Sequence, residues 1–184
     1  MARKKTISMN CLSQSSIQNT IKQLRAYQDS LTYKCQMVAQ KLAEKGIEVA
    51  KNNVGNFGHY ILFSKKTESV KFGCQEIILA EDLKKIISQW KTKDGEIHKA
   101  EVSPLLMVEF GSGFKANNPK DIPGVGQGTF PNQTHAFDKE GWYWVDLDGK
   151  LNHSYGISPE MPMYKASLEI IREVEKAVKE VFKK

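Results

Sequence analysis

Cysteine and long apolar runs are scarce in this chain of 184 residues. It has three cysteines, an odd number without a C-x-x-C pair, so we expect neither a disulfide framework nor structural zinc. Its apolar runs are only a few residues long, whereas a membrane span needs about 20, so no membrane contact is expected. The first residues lack the apolar region of a signal peptide. We therefore expect a protein made in a cytoplasm, with its thiols reduced.

Arginine is also scarce, since only three of the 27 basic residues are arginine. Lysine neutralises phosphate but lacks the planar fork that reads guanine edges, which argues against sequence-specific DNA binding. The net charge of +6 lies in residues 1–53, which hold nine basic and three acidic residues. A solvated basic helix face is the favoured explanation. The alternative is non-specific contact of Arg3, Lys4 and Lys5 with a polyanion such as DNA.

A single domain, residues 1–184, is predicted because no linker or internal repeat divides the chain. Residues 1–14 are predicted to form an extended basic N-terminal arm, in which apolar and polar residues alternate before the first helix. Residues 111–140 are rich in Gly, Pro and Asn and are predicted to form a long mobile loop. A loop of this length in a compact domain is usually functional or disordered.

Two long helices are expected at the ends of the chain. In the first, Ser15 with Gln18 three residues later forms a capping-box pattern, and Asn52-Asn53 ends the helix. A restart of this helix at Asp29-Ser30 stays open. The last helix begins at Pro162. Apolar stripes at helical spacing predict the buried faces, and they comprise Ile17, Ile21, Leu24, Tyr27, Leu31, Cys35, Val38, Leu42, Val49 and Ala50 in the first helix and Tyr164, Leu168, Ile171, Val174, Val178 and Val181 in the last.

The middle of the chain has the alternation and turn residues of β-structure. Two Asp-Gly pairs, which tolerate positive φ, predict hairpins. Ser103 and Pro104 predict a short helix that ends at Gly111. The predicted strands are residues 60–64, 70–80, 85–91, 97–102, 142–146 and 151–155. The predicted fold is therefore α+β, an antiparallel β-sheet packed against the long N-terminal helix and the C-terminal amphipathic helix.

No pattern of catalytic or metal-binding residues rises above chance. The four histidines lack the spacing of a zinc-protease helix. The glycines of residues 124–128 neither follow an apolar strand nor open a helix, and the Walker lysine is absent. Carboxylates pair at Glu81-Asp82 and at Asp146 with Asp148, but a two-metal nuclease needs several such groups converging with a lysine. We expect no catalytic, cofactor-binding or metal-binding residues and no enzymatic activity.

Residues 108–113, Val-Glu-Phe-Gly-Ser-Gly, resemble the V-E-F-G-T-G signature of the minor tail-component family of long-tailed bacteriophages. That family comprises neck and tail-completion proteins. Its signature precedes a long loop, an aromatic strand pair, a glycine turn and P-F-M-x-P-A at the start of a final helix. Here Gly141–Tyr155, Gly156 and Pro162–Ser167 are similar to this order, with three departures inside the last segment.

The resemblance implies a structural virion protein without a cofactor, produced in the cytoplasm of a bacterial host. It implies a ring of identical subunits that joins head to tail beside other neck and tail proteins, from a phage or a prophage. Tail completion, tail termination and head stopping all stay open. The apolar anchors of the loop make it the predicted assembly interface, comprising Glu109, Phe110, Gly111, Gly113, Phe114, Val125, Phe130 and Phe137. The first alternative function is a cytosolic nucleic-acid-binding module that uses the basic N-terminal region, and a metal-dependent nuclease comes third.

Overall fold

The computed structural model describes residues 6–70, 73–91, 94–115, 139–145 and 147–183. The fold of this part of the chain is α+β, which confirms the predicted class. Its α-helices are α1 (Gln14–Asn52), α2 (Pro104–Phe110) and α3 (Pro162–Phe182). Its strands are β1 (Ile61–Val70), β2 (Gly73–Asp82), β3 (Ile86–Lys91), β4 (Ile97–Val102), β5 (Trp142–Val145) and β6 (Leu151–Ser154). Short 3-10 turns lie at Gly55–Phe57 and Gly113–Lys115.

Helix α1 is continuous over 39 residues, which makes it about 58 Å long. The predicted cap Ser15 is wrong, because Ser13 is the N-cap and its Oγ accepts a hydrogen bond from Ser16 N at 3.3 Å. Residues 11–12 form a turn just before this cap. Next to this turn, the Asn10 N–H donates to Ser16 Oγ at 3.0 Å. The restart considered at Asp29-Ser30 does not occur.

Helix α3 packs antiparallel to the C-terminal half of α1. The Nζ atom of Lys34 lies 5.3 Å from the centre of the Phe182 ring, and Lys41 Nζ lies 2.6 Å from Glu180 Oε2. These contacts place the C-terminal end of α3 beside Lys34. The N-terminal half of α1, residues 14–33, therefore extends beyond the end of α3, and all of residues 21–33 are exposed.

The close approach of α1 to its neighbours requires a residue without a side chain at position 46. A Cβ atom on Gly46 would lie 2.6 Å from Ile78 Cδ1 and 2.7 Å from Ile170 Cδ1. Gly46 therefore lies where β2 and α3 both contact α1. A glycine in the middle of a helix weakens it by about 1 kcal/mol relative to alanine, and here close packing offsets that cost.

The strands form two antiparallel sheets, so the prediction of a single sheet is wrong. One is the β1–β2 hairpin, which packs against α1, and the other has the order β4-β3-β5-β6. Both Asp-Gly hairpins form where predicted, and they join where Lys91 pairs with Val145. At the last residue of β2, Asp82 Oδ1 accepts a hydrogen bond from Leu105 N at 2.8 Å, which ties this strand end to α2. Turn residues specify local pairs but do not specify which hairpins join into one sheet.

The hydrophobic core lies where α1, β1, α2 and α3 meet. Its buried cluster comprises Ala50, Val54, Ile61, Phe63, Val108 and Ala166. The side of α3 that faces α1 presents Ile170, which contacts Gly46, and smaller residues that are buried, Ala166, Ala177 and Val181. Most of the predicted α3 stripe is therefore not in the core: Ile171 is 70% exposed, and Tyr164, Val174 and Val178 are exposed too. The small side chains let the two helices approach closely, and the larger apolar residues of the predicted stripe lie mostly on the opposite face.

Candidate functional site

The signature residues 108–113 pack against residues 156–161, just before α3. The Ser112 N–H donates to Ile157 O at 2.8 Å, and the Ile157 N–H donates back to Ser112 O at 3.2 Å. The same Ile157 N–H lies 3.1 Å from Ser112 Oγ. Ser112 is buried, so these bonds form away from solvent. We call these two segments the clamp.

The carbonyl of Val108 holds the other end of the clamp. It accepts hydrogen bonds from Glu160 N at 2.8 Å and from Met161 N at 3.2 Å. Val108 is also one of the largest fully buried side chains among the described residues. The signature is therefore held in place by backbone hydrogen bonds and by burial of the Val108 side chain.

The carboxylate of Glu109 caps α3 from a distant part of the chain. Met161, the residue that precedes α3, makes no side-chain capping bond. Instead, Glu109 Oε2 accepts from Met163 N at 2.9 Å and Oε1 accepts from Tyr164 N at 3.0 Å. The first N–H groups of a helix lack partners within it and carry partial positive charge, so a carboxylate satisfies and stabilises them. Glu109 thus couples the end of α2 to the start of α3.

A glycine is required at position 156, where the clamp closes. Its φ is +92°, a region that side chains rarely adopt, and a Cβ there would overlap the Ser112 carbonyl oxygen. Across the clamp, Gly111 and Gly113 also have positive φ, +74° and +62°. The glycines of the signature therefore serve backbone geometry inside the molecule.

The described residues of the predicted assembly interface come together at the clamp. Three of them act within the chain, as capping carboxylate or turn glycine: Glu109, Gly111 and Gly113. Phe110 is half-buried, and Phe114, in the 3-10 turn Gly113–Lys115, is exposed. Outside the described residues lie Val125, Phe130 and Phe137, together with the predicted polyanion contacts Arg3, Lys4 and Lys5. Ser112 was not among the predicted residues, although its place inside the signature was a signal for it.

The described residues just before and just after the segment 116–138 both contact residues at the end of β6. On one side, Gly113 lies beside Gly156 in the clamp. On the other, the Glu140 carbonyl oxygen lies 2.6 Å from His153 Nε2. The part of the predicted loop that the structure describes therefore leaves from, and returns to, one fixed place.

A cluster of aromatic rings lies beside this place on the β5–β6 hairpin. Tyr143 stacks on His153 with ring centres 4.1 Å apart, and Tyr155 meets the edge of His153 at 4.5 Å. Tyr143 and Tyr155 are both exposed. Sequence reasoning missed this cluster, yet pairing residues about the Asp148-Gly149 turn places Tyr143 opposite His153. Exposed, stacked aromatic rings form a surface suited to docking another protein.

The groups considered for other chemistry are dispersed or engaged elsewhere. Within the described ranges, no three His, Cys, Asp or Glu side chains converge in a way that could hold a metal ion. Asp82 of the predicted carboxylate pair caps α2, and Asp146 lies outside those ranges. In the basic region, Lys41 and Lys45 form ion pairs with glutamates.

Burial raises the pKa of the Cys74 thiol, so this cysteine stays protonated at neutral pH. None of the helices in the described part of the chain is long and apolar enough to cross a bilayer.

Replacing Glu109 by alanine is expected to lower the free energy of unfolding by about 2 kcal/mol. The reason is that two N–H groups at the start of α3 lose their acceptor. Urea denaturation of the purified protein measures this change. The control is Glu101→Ala, which removes an exposed ion pair with Lys85 and is expected to change stability by less than about 0.5 kcal/mol. Equal effects of the two substitutions would contradict the capping role of Glu109.

Comparison of the chain with protein-family models, with curated proteins and with solved structures gave no match.

Proposed function

We propose that this protein is a structural component of a phage neck, which joins head to tail as a ring of identical subunits. The observation that supports the proposal is the order of the described elements. The signature closes a clamp, a long segment follows, and then come the aromatic β5–β6 hairpin, Gly156 and the proline-initiated α3. This is the order that the resemblance to the minor tail-component family implies. The proposed role is structural and requires neither a cofactor nor a metal.

In this proposal the clamp serves as a rigid base for residues 116–138, which contact neighbouring subunits and neck partners. The segment contains Ile122, Val125 and Phe130, apolar residues that a purely solvated loop would not need. The exposed Phe114 and the aromatic cluster of Tyr143 and Tyr155 lie at its base and extend the contact surface. Contacts repeated around a ring make weak individual interfaces effective together.

Deletion of residues 117–130 is expected to abolish the joining of heads to tails. The test mixes separate heads and tails, lacking this protein, with purified wild type or variant and counts infectious particles. A variant in which the same residues are replaced by a Gly/Ser linker of equal length serves as control for loop length, and it is expected to fail as well. Thermal denaturation checks that both variants fold. If either folded variant joins heads and tails at the wild-type rate, the loop is not the assembly element.

The nucleic-acid-binding alternative is distinguished by a second measurement. It predicts affinity for random duplex DNA that falls steeply as salt rises. The neck proposal predicts that joining persists when Arg3, Lys4 and Lys5 are replaced by alanine. Cleavage of DNA in the presence of a divalent metal would instead favour the nuclease alternative.

A further inference from the structure

An apolar seam on α1 continues beyond the part that the rest of the molecule covers. Counting 100° per residue, the exposed residues of this seam lie on the same face as Gly46, which α3 and β2 contact, and as the buried Ala50. Leu24, near the middle of the protruding half, is 51% exposed. The residues of this α1 seam, spaced alternately by four and three, are Ile17, Ile21, Leu24, Gln28, Leu31 and Cys35.

A second apolar seam lies on the outer face of α3, away from the face that packs on α1, and only its last residue, Phe182, also lies near Lys34 of α1. Its spacing alternates in the same way, and its residues are Tyr164, Leu168, Ile171, Glu175, Val178 and Phe182. All but Leu168 are exposed. An alternation of four and three residues is the repeat by which two helices pack along a continuous seam. One molecule therefore presents two such seams, on two different helices.

The two seams match residue for residue when aligned in parallel. Ile17 then meets Tyr164, and each seam has its one charged or amide residue at the fourth position, Gln28 in α1 and Glu175 in α3. The amide N–H of glutamine can donate to the carboxylate, so neither polar group is buried against an apolar one. Pairing two α1 seams in antiparallel fashion would place Gln28 against an aliphatic residue. The match therefore favours α3 as the partner of the α1 seam.

Beside the aligned seams, no two side chains with charge of the same sign face each other across the two helices. In parallel packing the positions beside the seam face each other across the two helices. Here the basic residues on both flanks face hydroxyl or aromatic residues. The exposed pairs are Tyr27 with Lys179, Arg25 with Ser167, and Thr32 with Val174.

The dimensions of the molecule allow two copies to exchange these contacts. The protruding half of α1, residues 14–33, is about 30 Å long and α3 is about 32 Å long. Because α3 runs antiparallel to its own α1 and ends beside Lys34, a two-fold axis perpendicular to α1 brings the α3 of a second copy onto the protruding half. The same operation places the second copy's protruding half on the first α3. The two α3 helices then lie end to end.

We propose that the chain forms a two-fold dimer in which the α1 seam of each copy packs in parallel on the α3 seam of the other. Each α3 is then held between its own α1 and the protruding half of the second copy. The contact continues the α1–α3 interface that already exists within the chain. It also covers apolar residues that otherwise stay in solvent, including Ile171 and Leu24. This inference does not depend on the proposed function, because neither seam contains a residue of the clamp or of the segment 116–138.

Sedimentation equilibrium of the full chain tests the dimer. At about 50 μM chain the wild type is expected to sediment at twice the chain mass. Leu24→Glu and Ile171→Glu, both at exposed positions that a folded monomer tolerates, are each expected to raise the dissociation constant about 100-fold. The matched control is Tyr33→Glu, which changes an exposed aromatic on the other side of α1 and is expected to leave the dimer intact. A monomeric wild type, or a Tyr33→Glu effect as large as that of Leu24→Glu, would overturn the proposal.

Cross-linking tests the register. With Cys11, Cys35 and Cys74 replaced, Leu24→Cys together with Ile171→Cys is expected to form a disulfide-linked dimer under mild oxidation. Either cysteine alone is expected to form none, because like residues lie far apart in the proposed dimer. Efficient cross-linking by Leu24→Cys alone would overturn the proposal in favour of paired α1 helices.

The polar pair gives a separate check on the same register. Gln28→Leu leaves Glu175 against an apolar residue and is expected to weaken the dimer about 10-fold. Combining it with Glu175→Leu is expected to restore at least the wild-type affinity, since both positions are then apolar. If the effects of the two substitutions on the dissociation free energy of the dimer simply add, the two residues do not contact each other.

Discussion

The Gly156→Ala variant is expected to lose about 3–4 kcal/mol of unfolding free energy, a large part of the stability of a domain of this size. Two costs combine. An alanine at a φ of +92° is strained by about 1–2 kcal/mol. Its Cβ would also overlap the Ser112 carbonyl oxygen, so the two backbone bonds between Ser112 and Ile157 must break, at about 1 kcal/mol each. Chemical denaturation of wild type and variant measures the difference.

The Gly149→Ala variant separates the two costs. Gly149 has a similar φ of +83°, but nothing lies within 4 Å of the position its Cβ would take. Its substitution is therefore expected to cost only the backbone strain, about 1–2 kcal/mol. Equal losses at the two positions would mean that the clamp contributes nothing beyond the conformation of the glycine.

Elements with a local chemical signal could be predicted from the sequence. The short helix α2 has Ser103 as its cap and Pro104 at its start, and it ends at Gly111, as expected. Both Asp-Gly hairpins formed because the turn residues tolerate positive φ and fix the register of the strands that follow. In each case, the residues that decide the structure are neighbours in the chain.

Features that depend on distant partners could not be predicted in this way. The α3 stripe marks an apolar face but does not say what covers it, and α1 instead approaches the face with Ala166 and Ala177. The cap of α3 comes from Glu109, which lies more than 50 residues earlier, so the local pattern around Met161 gives no sign of it. The resemblance identified the signature, but only the contacts of the clamp give its residues physical roles.

The clamp also connects stability with the proposed function. Glu109 and Ser112 hold the start of α3 against the end of α2 by contacts inside the molecule. The described residues on both sides of the segment 116–138 contact the region after β6, so we expect changes within the segment to leave the core intact. Substitutions in the clamp should therefore reduce stability and joining together, whereas changes within residues 117–130 should reduce joining alone.

The largest loss from truncating a single core side chain is expected for Phe63→Ala, at about 3–5 kcal/mol. Phe63 lies in β1, is 6% exposed and belongs to the cluster that joins the hairpin to α1, α2 and α3. In the described part of the chain β1 and β2 pair only with each other, and an isolated two-stranded hairpin is marginally stable. Removing the ring leaves a cavity and weakens the contact that holds this hairpin on the helices.

Leu62→Ala is the matched control, since Leu62 is the preceding residue of β1, faces the other side and is 43% exposed. It is expected to cost about 1 kcal/mol or less, because little apolar area returns to water. Hydrogen exchange should then separate the two variants, with faster exchange of β1 and β2 amides in Phe63→Ala and near wild-type rates in Leu62→Ala. If Phe63→Ala lowers stability without faster exchange in the hairpin, the ring fills the core but does not anchor these strands.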